Sequence, residues 1–267
     1  MADRDRVRRW VLQHRDVYGV NGYWFDRIPD APSRATVPRT QPAKAPLTTV
    51  RETVALSSSR QASRADAAAA LDAIAREIRS CRACPLGATR LQAVPGEGNS
   101  AAEIMFVGEG PGYAEDHQGR PFVGKAGELL TKIIQAMGFT REDVFIANMV
   151  KCHPMKSPDP ELRNNDRPPT EEEIRGCRSF LERQIAAVHP AIIVALGSVS
   201  SRALLATATP ITALRGTFAP YPQDPSILVM PTFHPAALLR DPGLKKPVWE
   251  DMKAVLAKLG RTPPSRG

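Results

Sequence analysis

The sequence predicts an α/β protein, an αβα sandwich built on a mostly parallel, four-stranded central sheet. Three observations carry that expectation. From about residue 67, short and continuously apolar runs alternate with longer amphipathic ones; strands covered on both faces, as in parallel sheets, read as unbroken apolar stretches. The amphipathic runs are long enough to be crossover helices, and several stop at glycine or proline. Loops rich in Gly, Pro, Asn and His follow the apolar runs, where open α/β sheets hold their ligands.

The elements follow in order. Residues 7–25, "VRRWVLQHRDVYGVNGYWF", carry two Trp and two Tyr in a basic setting and read as a short docking helix, without assigned function, or as a disordered tail, the helix being the favoured reading. Residues 31–66 are rich in Pro, Ser, Thr and Ala without periodicity and are read as a flexible linker, so that 1–66 form a basic, largely flexible extension. "AAAALDAIAREIRSC" (67–81) is helical, "EIMFVG" (103–108) a buried strand, and "GKAGELLTKIIQAMGF" (124–139) a helix ended by Gly138. "DVFIANMVKC" (143–152) is the second strand. The helix over 170–190 has acids in its first turn and Pro190 beyond its end. "AIIVALG" (191–197) is the third strand, followed by a short helix, and "SILVMPTFHP" (226–235) is the fourth. A last helix over 245–260 stops at Gly260, leaving 261–267 as a disordered tail.

With 267 residues and 42% hydrophobic content, the chain suffices for one large domain plus an extension. No run of 18 apolar residues exists, and the charged "MADRDRVRRW" lacks an apolar h-region, so neither a membrane span nor secretion is expected. The net charge is +8, but residues 1–66 alone hold 12 Lys/Arg against 7 Asp/Glu, so more than half the excess lies in the extension. Bulk charge is therefore weak support for a polyanionic partner. The four cysteines, Cys81 and Cys84 in a C-x-x-C with Cys152 and Cys177 far downstream, suit a thiolate metal site or a redox pair better than disulfides.

Three marked loops follow strand ends, at 108–124, 148–153 and 231–240, and predict one shared site. In "GEGPGYAEDHQGRPFVGKAGELL" (108–130), Gly108, Gly110 and Gly112 let the backbone approach a ligand closely. The loop is neither G-x-G-x-x-G nor a Walker loop, and Glu109, Glu115 and Asp116 would repel phosphate. Such acids can instead orient a water or steady a cation. Phe122 reads equally as a core aromatic or as a stacking surface for a flat ligand such as a base. Asn148 either caps a turn or presents one donor and one acceptor, the match to uracil N3–H and O4. His234, set off from helical geometry by Pro235, ends a buried strand on the ligand side; neutral, it can donate to an oxygen gaining negative charge. Leu238 and Leu239 are helix-core residues or a wedge for a base stack, and Arg240 can meet phosphate.

The long loop, "NMVKC", the C-x-x-C and "TFHPAALLR" together resemble family 4 uracil-DNA glycosylases, the iron–sulfur branch of that superfamily. The resemblance covers about residues 67–260. It implies a monofunctional glycosylase that flips uracil out of DNA, single- or double-stranded, and hydrolyses its N-glycosidic bond in base excision repair. It also implies a cytoplasmic, nucleoid-associated enzyme that acts as a monomer on DNA and not at a membrane, with a [4Fe–4S] cluster on Cys81, Cys84, Cys152 and Cys177, zinc being the other fit for four thiolates. Carried over by position, Gly108, Glu109, Gly110, Pro111 and Gly112 form the water-orienting loop. Glu115 lines the pocket near uracil C5, Phe122 stacks on the ring, and Asn148 reads N3 and O4. His234 stabilises the departing anion through O2, Leu238 is the wedge, and Arg240 contacts DNA.

The Cys152–Cys177 interval is longer than the family pattern. A related branch carries there an insertion whose histidine traps the sugar covalently. This insertion has no histidine of its own, the nearest being His153, and Gly110 stands where that branch has Gln; turnover is expected rather than trapping. Two rivals remain: a non-catalytic iron–sulfur or zinc DNA-binding module, which leaves Glu109, Asn148 and His234 without a task, and a redox protein, whose C-x-x-C would be misplaced before the first core strand.

Overall fold

The computed structural model describes residues 50–264, with side chains from residue 65 onward. The docking helix read at 7–25, the linker up to residue 49 and the last three residues lie outside the described residues. Helix α1 spans Val50–Ser80 and so begins within the segment read as linker. It is followed by the single turn α2 (Leu86–Thr89).

The sheet has six strands rather than four. Strands β2 (Ile104–Gly108), β3 (Phe145–Asn148), β4 (Ile192–Leu196) and β6 (Asp224–Thr232) are the expected ones, paired in parallel in the order β3-β2-β4-β6. The two additional strands, β1 (Glu97–Gly98) and β5 (Ala219–Tyr221), close the edges in antiparallel. They are too short for an apolar period, and β5 carries Pro220, which suits an edge. The class stands as expected: α/β, with helices on both faces.

Alternation along each strand divides the core. Ile104, Phe106, Ile146, Ile192 and Val194 pack against α4 (Lys125–Ala136) and α9 (Lys245–Lys258). Met105, Val107, Ala147, Ile193 and Ala195 face α5 (Glu171–Val188) and α6 (Ser198–Leu205). Phe106 and Val194 are completely buried, and burial of each such side chain stabilises the fold by about 1.5–3 kcal/mol. Helix α5 starts where a capping box predicts: Thr170 Oγ1 accepts from the Glu173 N–H at 3.2 Å, and Glu173 Oε2 accepts from the Thr170 N–H at 2.8 Å.

Short elements complete the carboxyl side of the sheet: α3 (Tyr113–Gln118), α7 (Ile211–Leu214), α8 (Pro235–Arg240) and a 3-10 turn at Pro242–Leu244. Arg261 pairs with Glu103 and lies over the Phe139 ring at 4.9 Å. Among the described residues no helix is long and apolar enough to cross a membrane.

Candidate functional site

The ends of β2, β3 and β6 bring four of the expected residues together. Gly108 ends β2 in close contact with its neighbours: a Cβ there would lie 2.4 Å from Asn148 Oδ1 and 2.4 Å from Phe122 Cζ. Only glycine permits that approach. Asn148, the last residue of β3, is 2% exposed, and its Oδ1 has no hydrogen-bond partner. An orphaned buried acceptor costs about 1–3 kcal/mol, so it marks a place kept for a ligand.

Phe122 is buried with φ at 52°, a left-handed conformation that costs an aromatic residue about 1–2 kcal/mol. The turn is clamped from outside. Arg141 donates to the Phe122 carbonyl at 3.1 Å and to the Pro121 carbonyl at 2.7 Å, and is itself held by Glu97 at 2.7 Å. Burial pushes the Glu97 carboxyl up, but Arg120 and Arg141 outweigh it and hold the group below its ordinary range. Gly127 of α4 makes room for the turn, since a Cβ there would collide with the Phe122 carbonyl at 1.9 Å.

His234 precedes α8, and its ring lies 5.7 Å from that of Phe122, tilted by 34°. Its Nδ1 accepts from the Ala236 N–H at 3.1 Å, so the neutral ring carries its proton on Nε2. Burial, reinforced by the charge of Arg240, lowers its pKa to about 4. The ring is therefore a neutral donor near pH 7. Glu109 is shifted by the same cause: burial raises its carboxyl above the ordinary value. Pro111 is buried beside it, and a Cβ on Gly110 would meet Val150 Cγ2 at 2.8 Å.

Two of the expected residues are engaged within the fold. Glu115 does not offer a free carboxylate: its Oε1 accepts from the N–H groups of Val123 and Gly124, both at 2.9 Å, and its Oε2 from that of Gly112 at 3.1 Å. It ties the glycine loop to the Phe122 turn. Leu238 is 1% exposed and packs into the core, whereas Leu239 beside it is 48% exposed. Arg240 is exposed next to it.

The four cysteines line one small cavity together with Arg90, Lys151 and Phe180. Cys81 and Cys84 follow α1, Cys152 follows β3, and Cys177 lies on α5. Among the described residues no three His, Cys, Asp or Glu are disposed to hold a single ion; the thiols ring the cavity rather than closing on one point. Burial pushes the Cys152 thiol up to about 11 and raises Cys177 as well, while Arg90 and Lys151 work the other way. Arg90 Nη1 donates to Cys152 Sγ at 2.8 Å, and the Lys151 N–H to Cys177 Sγ at 3.3 Å. Such donors and cations favour thiolates, so the donor set fits a group that displaces the thiol protons.

The long segment after Cys152 folds back onto the glycine loop. Asp166 bonds His153 Nε2 at 2.6 Å and also receives the Tyr113 N–H. His153 is fully buried, with Asp116 Oδ2 3.7 Å from its Nδ1. Burial alone would depress its pKa, but the two carboxylates outweigh it and raise the value to about 9. Arg163 lies over the Tyr113 ring at 5.4 Å. Sequence reasoning missed Arg141, Lys151 and Asp166; each acts across many residues of sequence, and no local pattern announces it.

Comparison with known proteins adds an independent line. A family model described as the uracil DNA glycosylase superfamily matches residues 95–253. A type-4 uracil-DNA glycosylase of Saccharolobus solfataricus is 46% identical over 199 residues, covering 72% of this chain and 88% of that protein. The type-4 uracil-DNA glycosylase of Archaeoglobus fulgidus is 40% identical over 200 residues, 73% of this chain and 96% of that protein. That of Thermotoga maritima is 42% identical over 186 residues, 68% and 91% respectively.

Proposed function

The chain belongs to the uracil DNA glycosylase superfamily, within its type-4 branch, and we propose that the site at the strand ends is where it releases uracil from DNA. The protein is a monofunctional glycosylase, a hydrolase of N-glycosyl bonds that leaves an abasic site. One observation supports this site above all others: a buried asparagine oxygen without a partner, beside an aromatic ring and a neutral histidine.

A base within the stack cannot be reached, so it is extruded at a cost of a few kcal/mol. Phe122 stacks on its face. Asn148 Oδ1 accepts N3–H, and its amide nitrogen donates to O4. Cytosine presents the opposite pair, and a site built on such a match rejects the wrong partner by roughly 10⁴-fold. As the bond breaks, the base gains negative charge. His234 Nε2–H meets that charge at O2, a donor commonly worth about 3 kcal/mol. The Glu109 carboxylate offsets positive charge on the sugar and aligns the water in the loop Gly108–Gly112. Leu239, rather than Leu238, fills the gap in the stack, and Arg240 meets the backbone.

The cysteine set supports a [4Fe–4S] cluster on Cys81, Cys84, Cys152 and Cys177. Four thiols lining one cavity are the donor set such a cluster takes, zinc being the other group four thiolates fit. Such a group would supply structural cross-linking, joining the end of α1 to the segment after β3 and to α5. Residues 67–260 act as the catalytic domain, as a monomer inside the cell. Covalent trapping is disfavoured because His153 is buried between Asp116 and Asp166.

The test is a glycosylase assay on single-stranded uracil-DNA with wild type and Asn148→Ala, with visible absorption recorded on the same samples. Free uracil from the wild type, a loss of roughly 10²-fold or more in the variant and an iron–sulfur spectrum are expected. An SDS-resistant protein–DNA adduct as the main product would overturn turnover, and a colourless, zinc-loaded preparation would overturn the cluster alone.

A further inference from the structure

Lys151 lies between the four-cysteine site and the base-reading asparagine, and the mechanism above makes no use of it. Its side chain is completely enclosed, at 1% exposure. The ammonium donates to the Asn148 backbone carbonyl at 2.8 Å and to Gln184 Oε1 at 2.7 Å. Gln184 is fixed in turn by its own bond to the Pro95 carbonyl at 2.7 Å. The backbone N–H of Lys151 donates to Cys177 Sγ, and Cys152 is the next residue. One side chain and its own peptide group therefore touch both places.

Both acceptors of this ammonium are neutral. A buried cation is costly unless an anion accompanies it. The cavity that Lys151 lines also holds Cys177, on α5, and Cys152. Bound as thiolates, they supply the missing negative charge. The Asn148 carbonyl belongs to the last residue of β3, whose amide sits against Gly108 with no slack. Whatever fixes that carbonyl fixes the amide that reads the base.

We propose that Lys151 is a positioning residue that couples occupancy of the four-cysteine site to the placement of Asn148, so that the filled site holds the pocket ready for uracil. The proposal rests on the functional reading above. Coupling of this kind is reciprocal: uracil at Asn148 must strengthen the hold on the metal group by the same factor. Val150 offers an apolar route between the same two places, packing with Cys152 and Cys177 and against Gly110. It carries no charge, and replacement of Lys151 leaves it intact, so the two routes separate.

The experiment measures metal release to a chelator, with and without free uracil at a concentration that saturates each protein, in wild type, Lys151→Met and Lys151→Arg. Calorimetry gives the uracil affinity, and metal content is determined beforehand. In the wild type, saturating uracil slows release about tenfold. In Lys151→Met the uracil affinity falls by about the same factor and saturating uracil no longer slows release. Lys151→Arg, which keeps the charge, restores part of the response. If Lys151→Met does not accumulate folded, Gln184→Leu removes one anchor of the ammonium and is expected to weaken the response. Release from the wild type that ignores uracil, or equal protection in wild type and Lys151→Met, overturns the proposal. A wild type that binds no uracil or holds no metal would instead remove the functional reading, and both are seen before release is measured.

Discussion

Glu115→Gln distinguishes a carboxylate that holds the catalytic loop from one that touches the base. In the structure Glu115 joins the two ends of that loop, through Gly112 on one side and Val123 and Gly124 on the other. Glutamine is nearly isosteric. Its oxygen can serve the Val123 and Gly124 pair, but its NH₂ then meets the Gly112 N–H, donor against donor. A hydrogen bond to a charged group is worth about 1.5–3 kcal/mol against about 1 for a neutral one, and an orphaned donor costs about 1–3 kcal/mol more. Because the site is only partly buried, about 2 kcal/mol is the discounted sum. For a domain of this size that lowers Tm by about 4–8 °C. The loop carrying Glu109 and Phe122 loosens with it, so kcat falls by about 10²-fold while KM changes little. Thermal unfolding followed by circular dichroism, together with glycosylase kinetics on uracil and thymine at one position, checks both. An unchanged Tm with new thymine excision would refute the loop-holding role and return Glu115 to the pocket wall near C5.

Gly108→Ala places a methyl 2.4 Å from both Asn148 Oδ1 and Phe122 Cζ, and is expected to abolish uracil binding by calorimetry while circular dichroism shows the fold retained. Leu238→Ala empties a buried site and costs about 2–5 kcal/mol in denaturant unfolding. Leu239→Ala leaves stability within about 0.5 kcal/mol but reduces excision from duplex more than from single strands, because only the duplex needs its stack filled. For pH, the folded His234 titrates near 4 against an ordinary 6.5, so the unfolded chain takes up a proton first and the fold loses stability as pH falls through that window. Glu109 has the opposite sign: burial raises it above 4.5, so stability falls as pH rises through its folded value. Since excision needs Glu109 ionised and His234 neutral, the acid limb of kcat/KM follows Glu109. In the residual activity of Glu109→Gln, that limb moves down towards about 4.

The buried strands were legible because both faces of β2 and β4 are covered, which leaves every residue apolar. The edges were not, since β1 and β5 hold too few residues for any period. Gly108, Asn148 and His234 could be read from their positions at or just past strand ends, and Phe122 from the loop that follows β2. The choice between Leu238 and Leu239 could not. Helix α8 is only six residues long, and its packing against α4 decides which leucine turns inward. The N–H partners of Glu115 were not legible either, because sequence cannot say which N–H groups a carboxylate will find. Nothing within "NMVKC" announces that Lys151 is buried; the approach of Gln184 and Cys177 from α5 encloses it.

The two groups assigned to the chemistry are shifted by one cause with opposite consequences. Burial keeps His234 neutral and makes an ionised Glu109 unfavourable in the free enzyme. An imidazolium would attract the departing base more strongly. It would also place a second cation near Arg240, and the Ala236 N–H would then face a protonated Nδ1. The neutral ring incurs neither cost and gains its interaction only as charge moves onto O2. The desolvated carboxylate likewise gains most when the sugar becomes positive. Interactions that strengthen only as the bond breaks raise kcat, whereas those present in the bound ground state do not. A pocket that kept both groups comfortably solvated would bind uracil as well and release it more slowly.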